Sequence, residues 1–150
     1  PEIQSNHPQI RALSRQLVKD KKDAWEAALS INQWVYKNLE KVLVDTVTAL
    51  EALRERRGEC QSHTNLFVAL ARSAGIPARV VSGLVYSNEY KGFLYHAWPE
   101  VFVGEWRSLD PTFGQDLVDA THIKLGEGEQ TGPFQLLEFV GRIGVELIDK

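Results

Sequence analysis

Three residues of the 150-residue chain, Cys60, His96 and Asp110, have the types and surroundings needed for thiol chemistry on an amide. Cys60 is the only cysteine, and it lies two residues after Gly58, where a turn gives way to the helical spacing of apolar residues. The first N–H groups of a helix have no intrahelical partner and favour negative charge, so a thiol there is expected to ionise more easily. A single cysteine is otherwise often a small buried hydrophobe, so its partners must decide between these interpretations.

His96 and Asp110 could complete a catalytic triad with Cys60. A thiol nucleophile needs a base that accepts its proton and later protonates the leaving amine, and the imidazole needs a carboxylate that holds its tautomer. His96 and Asp110 follow Cys60 by 36 and 50 positions, which is close enough for all three to share one unit of a helix and a hairpin. The set predicts a thioester intermediate formed from an amide.

The turn between the strands that carry His96 and Asp110 decides whether the two side chains can meet. Side chains alternate between the faces of a strand, so a two-residue turn would place them on opposite faces. A three-residue connection with Phe102 opposite Trp106 places Asp110 diagonal to His96 on one face. We therefore predict an odd-length turn or a bulge, and we expect Cys60 to face the same side of the hairpin.

The first 58 residues predict three helices joined by short connections. Apolar residues recur at helical spacing, and each run is preceded by residues that favour a helix start, namely Pro8, Asp23 and the capping-box pair Thr48 and Glu51. Gly58 is interpreted as the left-handed residue that ends the third helix. Residues 40–47 are interpreted as an irregular apolar connection.

The chain from Cys60 onward predicts one more helix followed by strands. The helix that begins at Cys60 should end at Gly75 and Pro77. Alternation with a period of two predicts strands over 78–86, 94–103 and 106–109, around 122–125 and in a final run around 143–147. The expected fold class is α+β, with N-terminal helices and a central Cys-bearing helix packed on an antiparallel β-sheet.

Composition and charge describe a single globular domain that covers residues 1–150. Hydrophobic residues make up 43% and charged residues 25%, and the net charge of −3 gives no basic surface for nucleic acid. No run is long enough to span a membrane, and one cysteine excludes an internal disulfide. Because the chain has no Met and no signal-peptide pattern, we expect a piece of a longer protein, with residues 1–7 frayed. Oligomeric state and localisation, cytoplasmic or extracytoplasmic, stay open.

The residues around the three candidates resemble a known family. The resemblance covers residues 24–113 and rests on three motifs in order: Arg57-Gly58-Glu59-Cys60 with its helix to Gly75-Ile76-Pro77, then His96-Ala97-Trp98-Pro99-Glu100, then Trp106-Arg107-Ser108-Leu109-Asp110-Pro111. Together they resemble the transglutaminase-like superfamily of papain-type cysteine enzymes, in its microbial branch. The resemblance implies a papain-like fold and a bacterial or archaeal origin. It implies Cys60 as nucleophile, His96 as base and acid, Asp110 as its orienting partner, and the Cys60 N–H in an oxyanion hole.

Two positions depart from the family pattern. Gln61 stands where the animal enzymes have a Trp, and Pro99, which cannot donate to a ladder, offers a place for an irregular strand. Details of substrate and partner are therefore not transferred, and no acidic cluster suggests calcium. The side chain that completes the oxyanion hole stays open among Gln33, Trp34 and Gln61.

Other titratable residues have competing interpretations. Cys60, His63, His96 and Asp110 could be zinc ligands, but no second close pair follows, so a triad is favoured and neither metal nor cofactor is expected. His63 could border the cleft or lie partly exposed on its helix. Trp98 should share the face of His96 and could shield the imidazole from water. The remaining candidates are interpreted as structural, solvated or loop residues: His7, His122, Asp116 and Asp119.

The expected function is cysteine-dependent acyl transfer on a peptide or protein amide. Hydrolysis and transamidation share the thioester step, and hydrolysis is slightly favoured because microbial members of the family include proteases and amidases. The alternative is a binding or scaffolding module that keeps the fold without turnover.

Overall fold

Helices occupy the first half of the chain and the principal sheet occupies the part that follows. A computed structural model describes residues 2–43 and 48–128. Within these ranges the helices are α1 (Pro8–Val18), α2 (Ala24–Asn38), α3 (Ala49–Glu55) and α4 (Cys60–Ser73). The strands are β1 (Glu40–Lys41), β2 (Arg57–Gly58), β3 (Ala78–Ser87), β4 (Gly92–Phe102), β5 (Trp106–Ser108) and β6 (His122–Glu127). The α+β class predicted from the sequence is confirmed. The predicted strand at 143–147 lies outside the described residues.

The starts of α2 and α3 follow the capping signals in the sequence. The Asp23 carboxylate accepts a hydrogen bond from the N–H of Glu26 at 2.8 Å. The Thr48 hydroxyl accepts from the N–H of Glu51 at 3.2 Å and donates to the Glu51 carboxylate at 2.7 Å, which confirms the predicted capping pair. No helix among the described residues is long and apolar enough to cross a membrane.

The segment before α4 differs from the sequence prediction at two points. Arg56, with φ of 57°, is the left-handed residue that ends α3, so the role predicted for Gly58 was wrong. Gly58 is instead required for space, because a Cβ there would overlap the side chain of Ser62. The connection at 40–47 is also not wholly irregular, since β1 pairs with β2 in parallel. This pair holds the chain as it enters α4.

The principal sheet has four strands in the order β5-β4-β3-β6, and all neighbours are antiparallel. The β3–β4 ladder is regular along its whole length, and Pro99 lies within it opposite Val80. Pro99 is therefore not the site of an irregularity. The register shift in this sheet lies between Ser82 and Gly83, where β6 pairs with β3.

The core lies between the helices and one face of the sheet. Alternate residues of the strands, including Val80, Val101 and Leu109, belong to the same buried cluster as the apolar residues of α4. The Ser14 hydroxyl of α1 donates to the carbonyl oxygen of Leu70 in α4 at 2.9 Å, which ties the two helices together. The opposite face of the sheet carries the other alternate residues, and His96 is among them.

Candidate active site

The hairpin of β4 and β5 has the register that brings His96 to Asp110. Phe102 pairs with Trp106, so three residues connect the strands, and the central one, Gly104, has φ of 95°. This confirms the predicted odd-length turn. Nε2 of His96 lies 2.7 Å from Oδ2 of Asp110, and the two side chains share the face of the sheet that points away from α4.

Asp110 is held as a carboxylate by hydrogen bonds on both of its oxygens. Oδ1 accepts from the backbone N–H groups of Thr112 and Phe113 at 2.9 and 3.1 Å. Burial works to raise the pKa of Asp110, but hydrogen bonds from His122 and His96 outweigh it and lower the pKa below the ordinary range. Because Asp110 takes Nε2 of His96 as a donor, Nδ1 is the ring nitrogen left to accept a proton.

Two aromatic rings stack against the His96 imidazole. Trp98 stacks on it with ring centres 5.9 Å apart, and Phe113 stacks with centres 4.9 Å apart. Trp98 is buried, whereas the Phe113 side chain is part of the surface. The predicted placement of Trp98 on the His96 face is confirmed, and the contribution of Phe113 was not foreseen. Both stacking contacts favour the ring orientation in which Nε2 meets Asp110.

The first turn of α4 reaches the edge of β4 just beyond the end of β5. The carbonyl of Pro99 accepts from Leu109 N at 3.1 Å, so alternate peptide groups of β4 point to this edge. The carbonyl of Ala97, two residues earlier, accepts from the Thr64 hydroxyl at 3.1 Å instead of a strand. The Ala97 N–H donates a hydrogen bond to the sulfur of Cys60. Cys60 therefore meets the hairpin at its edge, not on the face that was expected.

The Cys60 thiol is harder to ionise than its helical position suggests. Burial raises its pKa to about 11, and the carboxylates of Glu59 and Asp110 add to this rise. The Ala97 N–H opposes the shift but does not reverse it. The expected depression of this pKa was wrong for the resting structure, because desolvation outweighs the favourable end of the helix. A neutral thiol at pH 7 must give its proton to a base before it can attack.

The side chains considered for an oxyanion hole are engaged elsewhere. The Gln33 amide donates to Oδ1 of Asp116 at 2.7 Å, and the Gln61 amide donates to Oδ1 of Asn65 at 3.1 Å. The Trp34 ring instead lies under the guanidinium group of Arg56, 4.6 Å from its centre.

Tyr95 is a neighbour of the thiol that the sequence did not indicate. Burial raises the pKa of its phenol to about 12, and the charges of Cys60 and Glu59 contribute to the rise. Tyr95 precedes His96 on β4 and projects to the opposite face, which is the α4 side. The phenol therefore lies on the same side of the sheet as α4, the helix that carries Cys60.

His122 and Asp119 extend the site beyond the predicted residues. Nε2 of His122 lies 2.8 Å from Oδ2 of Asp110, and Nδ1 lies 3.3 Å from Oδ1 of Asp119. Of the two roles expected of His122, the solvated one is excluded because its side chain is 1% exposed, and Asp119 lies in a loop as predicted. Strand-like alternation marks His122 in the sequence, but its pairing partner cannot be inferred there because β6 joins the sheet across a bulge.

Asp116 and His63 serve structural roles. Oδ1 of Asp116 accepts from Asn32 at 3.0 Å as well as from Gln33, which ties the loop after Asp110 to α2. His63 is buried, and its Nδ1 lies 2.8 Å from the carbonyl oxygen of Glu59. Burial lowers the pKa of His63. Neither interpretation proposed for His63, a cleft residue or a partly exposed one, describes this position.

A cleft of about 460 Å³ is bordered by two neighbours of His96 and Asp110, but none of Cys60, His96 and Asp110 is part of its wall. Phe113 and His122 belong to its wall, together with Lys41, Tyr90 and Leu94. The Lys41 ammonium lies 4.2 Å from the centre of the Phe113 ring. An apolar chain entering this cleft would pass over the ring that covers His96.

His96, Asp110 and His122 are the described residues with the donor set of a metal site. Their ligand atoms lie within 4.8 Å of one another. Ligands of a tetrahedral zinc ion at about 2.0–2.2 Å stand roughly 3.3 Å apart. The Nε2–Oδ2 distances of 2.7 and 2.8 Å are instead ordinary hydrogen-bond distances. The three side chains therefore fit a hydrogen-bonded network better than a metal centre.

Comparisons with known proteins agree with this arrangement. The chain matches the family profile described as the transglutaminase-like superfamily over residues 11–111. An uncharacterized protein of Mycobacterium leprae is 27% identical over 129 residues, which cover 79% of this chain and 45% of that protein. The kyphoscoliosis peptidase of Mus musculus is 35% identical over 83 residues, which cover 49% of this chain and 12% of the peptidase.

The crystal structure of a candidate cysteine protease from Cytophaga hutchinsonii matches with a TM-score of 0.73 and 24% identity. The match covers 85% of this chain and 43% of that one. The chain thus spans less than half the length of each of these relatives.

The fold is that of papain-like cysteine enzymes, with the cysteine-bearing helix packed against an antiparallel sheet. The chain belongs to the transglutaminase-like superfamily.

Proposed function

We propose that this domain is a cysteine-dependent enzyme that transfers the acyl group of a peptide or protein amide through a thioester on Cys60. His96 acts as its general base and acid, and Asp110 orients His96. The observation that carries the proposal is the buried 2.7 Å bond from His96 to Asp110, one residue along β4 from the amide that meets the thiol. This geometry leaves Nδ1 of His96 as the proton acceptor.

The reaction divides into two steps that share His96. Nδ1 takes the proton of the Cys60 thiol, and the sulfur attacks the amide carbonyl carbon to form a tetrahedral oxyanion. The C–N bond breaks, His96 gives the proton to the leaving amine, and a thioester remains. Water or a second amine then attacks the thioester carbon, giving a proton to His96 that returns to the sulfur when the C–S bond breaks. The backbone N–H of Cys60 is our proposed donor to the oxyanion.

Hydrolysis is our favoured outcome of the second step. Two of the matched proteins are named as enzymes that hydrolyse peptide bonds. They are the kyphoscoliosis peptidase and the candidate cysteine protease of Cytophaga hutchinsonii.

A binding module without turnover is the second candidate, and the raised pKa of the Cys60 thiol favours it. Alkylation with iodoacetamide separates the two, because Cys60 is the only cysteine and labelling reports on this thiol alone. We expect labelling below pH 8 that His96→Ala abolishes and that the control His7→Ala, at the start of α1, retains. A thiol that reacts only above pH 8.5, equally in both variants, would overturn the enzyme proposal.

Mass spectrometry of the products tests the reaction itself. Mixed peptides and a primary amine are incubated with the domain and with Cys60→Ala. We expect new peptide carboxyl ends, formed with the wild type alone. Products that carry the added amine would instead assign transamidation, and identical spectra for the two proteins would contradict turnover.

A further inference from the structure

His122 shares one carboxylate oxygen with His96. The Nε2 atoms of His96 and His122 lie 2.7 and 2.8 Å from Oδ2 of Asp110, and the His122 side chain is 1% exposed. Two imidazole rings thus donate to a single acceptor. In a triad the orienting carboxylate serves one histidine, so a second buried donor changes both the position and the charge that Asp110 presents.

The sheet is built to bring His122 to this place. A Cβ at Gly83 would overlap the carbonyl oxygen of Ile123, so only glycine allows β6 to approach β3 this closely. The bulge beside Gly83 sets the register in which His122 pairs with Val85. The ring then packs edge-on against Trp98, with centres 5.1 Å apart. The position of His122 is fixed by backbone geometry and by packing.

The surroundings of His122 favour its protonated form. Nδ1 lies 3.3 Å from Oδ1 of Asp119, so each ring nitrogen faces a carboxylate, and both can donate only in the imidazolium. Burial works to lower the pKa of His122, but the bonds to Asp110 and Asp119 raise it. The ionisable groups around the ring are Asp110, Asp119 and His96 in contact with it, and Lys41, Tyr86, Glu89 and Tyr90, which line the same cleft.

We propose that His122 is a positioning residue of the acyl-transfer site, which holds the Asp110 carboxylate toward His96 and offsets its negative charge. The inference rests on the proposed function, since it assigns His122 an effect on the chemistry of His96 and Cys60. A cation beside Asp110 makes both the His96 imidazolium and the Cys60 thiol give up their protons at lower pH. His122 thereby sets the pH range in which the thiolate and imidazolium coexist.

The test measures the rate of Cys60 alkylation by iodoacetamide against pH in His122→Gln and His122→Leu. Both changes remove the cation, so we expect the whole profile to move to higher pH by about one unit. The glutamine amide can still donate to Asp110, whereas leucine cannot. We therefore expect His122→Gln to keep more of the acyl-transfer rate than His122→Leu, while the two profiles move alike.

Two further variants separate the possible failures. Asp119→Asn removes a carboxylate that is 55% exposed, which should leave folding intact, and it should move the profile in the same direction by less. If neither His122 variant folds, the pH profile of Asp119→Asn is the test of the inference. Profiles that coincide with the wild type in every folded variant would overturn the inference. If His96→Ala also shows the wild-type pH profile, the proposed function is contradicted as well. If His96→Ala is the one variant that loses low-pH alkylation, only the role proposed for His122 is contradicted.

Discussion

His96 and Asp110 meet at 2.7 Å, fourteen residues apart in the chain, because a connection of odd length joins their strands. The alternation of side chains along a strand makes this contact depend on the number of residues between the Phe102–Trp106 pair and Asp110. The same number governs every other contact of Asp110, including those with His122 and the loop that follows it. A change of one residue within β5 therefore alters this contact without altering His96 or Asp110 themselves.

Deletion of Arg107 should therefore break the site. If Trp106 stays opposite Phe102, the residues after it move one place along β4 and Asp110 comes opposite Pro99, on the face away from His96, so we expect the His96-dependent alkylation of Cys60 below pH 8 to disappear. Deletion of Gly104 is the matched control, because Val103 and Glu105 then form a two-residue turn and Phe102 stays opposite Trp106. Circular dichroism of the two proteins should be similar. Retained low-pH labelling in the Arg107 deletion would contradict the role of register.

Phe113→Ala should lower activity more than stability. Phe113 stacks on His96 and is 39% exposed, so its removal frees the imidazole and admits water at little folding cost. A misplaced catalytic group costs about 10²-fold, and we expect a loss of kcat/KM of about ten- to a hundredfold. Phe102→Ala removes a ring of similar exposure at the hairpin end, far from the imidazole, and serves as the control. Equal losses in the two variants would show that Phe113 acts only as surface packing.

Gly83→Ala should destabilise the sheet between β3 and β6. The added methyl group would overlap the Ile123 carbonyl, and forced overpacking typically costs about 1–3 kcal/mol of unfolding free energy. Gly92→Ala is the matched control, since its Cβ would meet its nearest neighbour, the carbonyl oxygen of Tyr90, at an ordinary 3.8 Å. Denaturant unfolding measures the difference. A Gly83→Ala protein as stable as Gly92→Ala would mean that β6 can move away from β3 without a loss of unfolding free energy.

His122 and His63 should affect stability in opposite directions as pH changes. The pKa of His122 is raised on folding, so its contribution is complete below about pH 6.5 and declines as pH rises through the folded-state value. The pKa of His63 is lowered, so its contribution is complete above about pH 6.5 and declines as pH falls. The stability lost in His122→Gln should shrink between pH 5.5 and pH 8, and that lost in His63→Gln should grow. Parallel curves would contradict either assignment.

Residues whose roles depend on local pattern could be predicted from the sequence. The parity of the hairpin follows from strand alternation, which is why the register of Phe102 with Trp106 was foreseen. The helix starts at Asp23 and Thr48 follow from side-chain capping, which involves neighbours within three residues. The Cys60 helix was likewise marked by its apolar spacing and its glycine stop.

Residues whose roles depend on distant packing could not be predicted in the same way. The pKa of Cys60 depends on how much solvent the neighbouring strand excludes, and desolvation has no signature in the local sequence. His122 reaches Asp110 through a bulge and a close approach of strands at Gly83, neither of which spacing encodes. Arg56 takes the left-handed conformation although a glycine stands two residues later. That glycine, Gly58, is required for a different reason, the close approach of Ser62.

The short length of β5 has a consequence for how the protein avoids self-association. Within residues 2–43 and 48–128, no strand pairs with the edge of β4 beyond the partner of Ser108, and an uncovered edge of this kind is a template for pairing with another copy of the chain. Thr64 and Cys60 occupy the peptide groups of Ala97 at this edge. The first turn of α4 therefore covers this part of the edge against a second molecule, and it does so with the residue that is the candidate nucleophile.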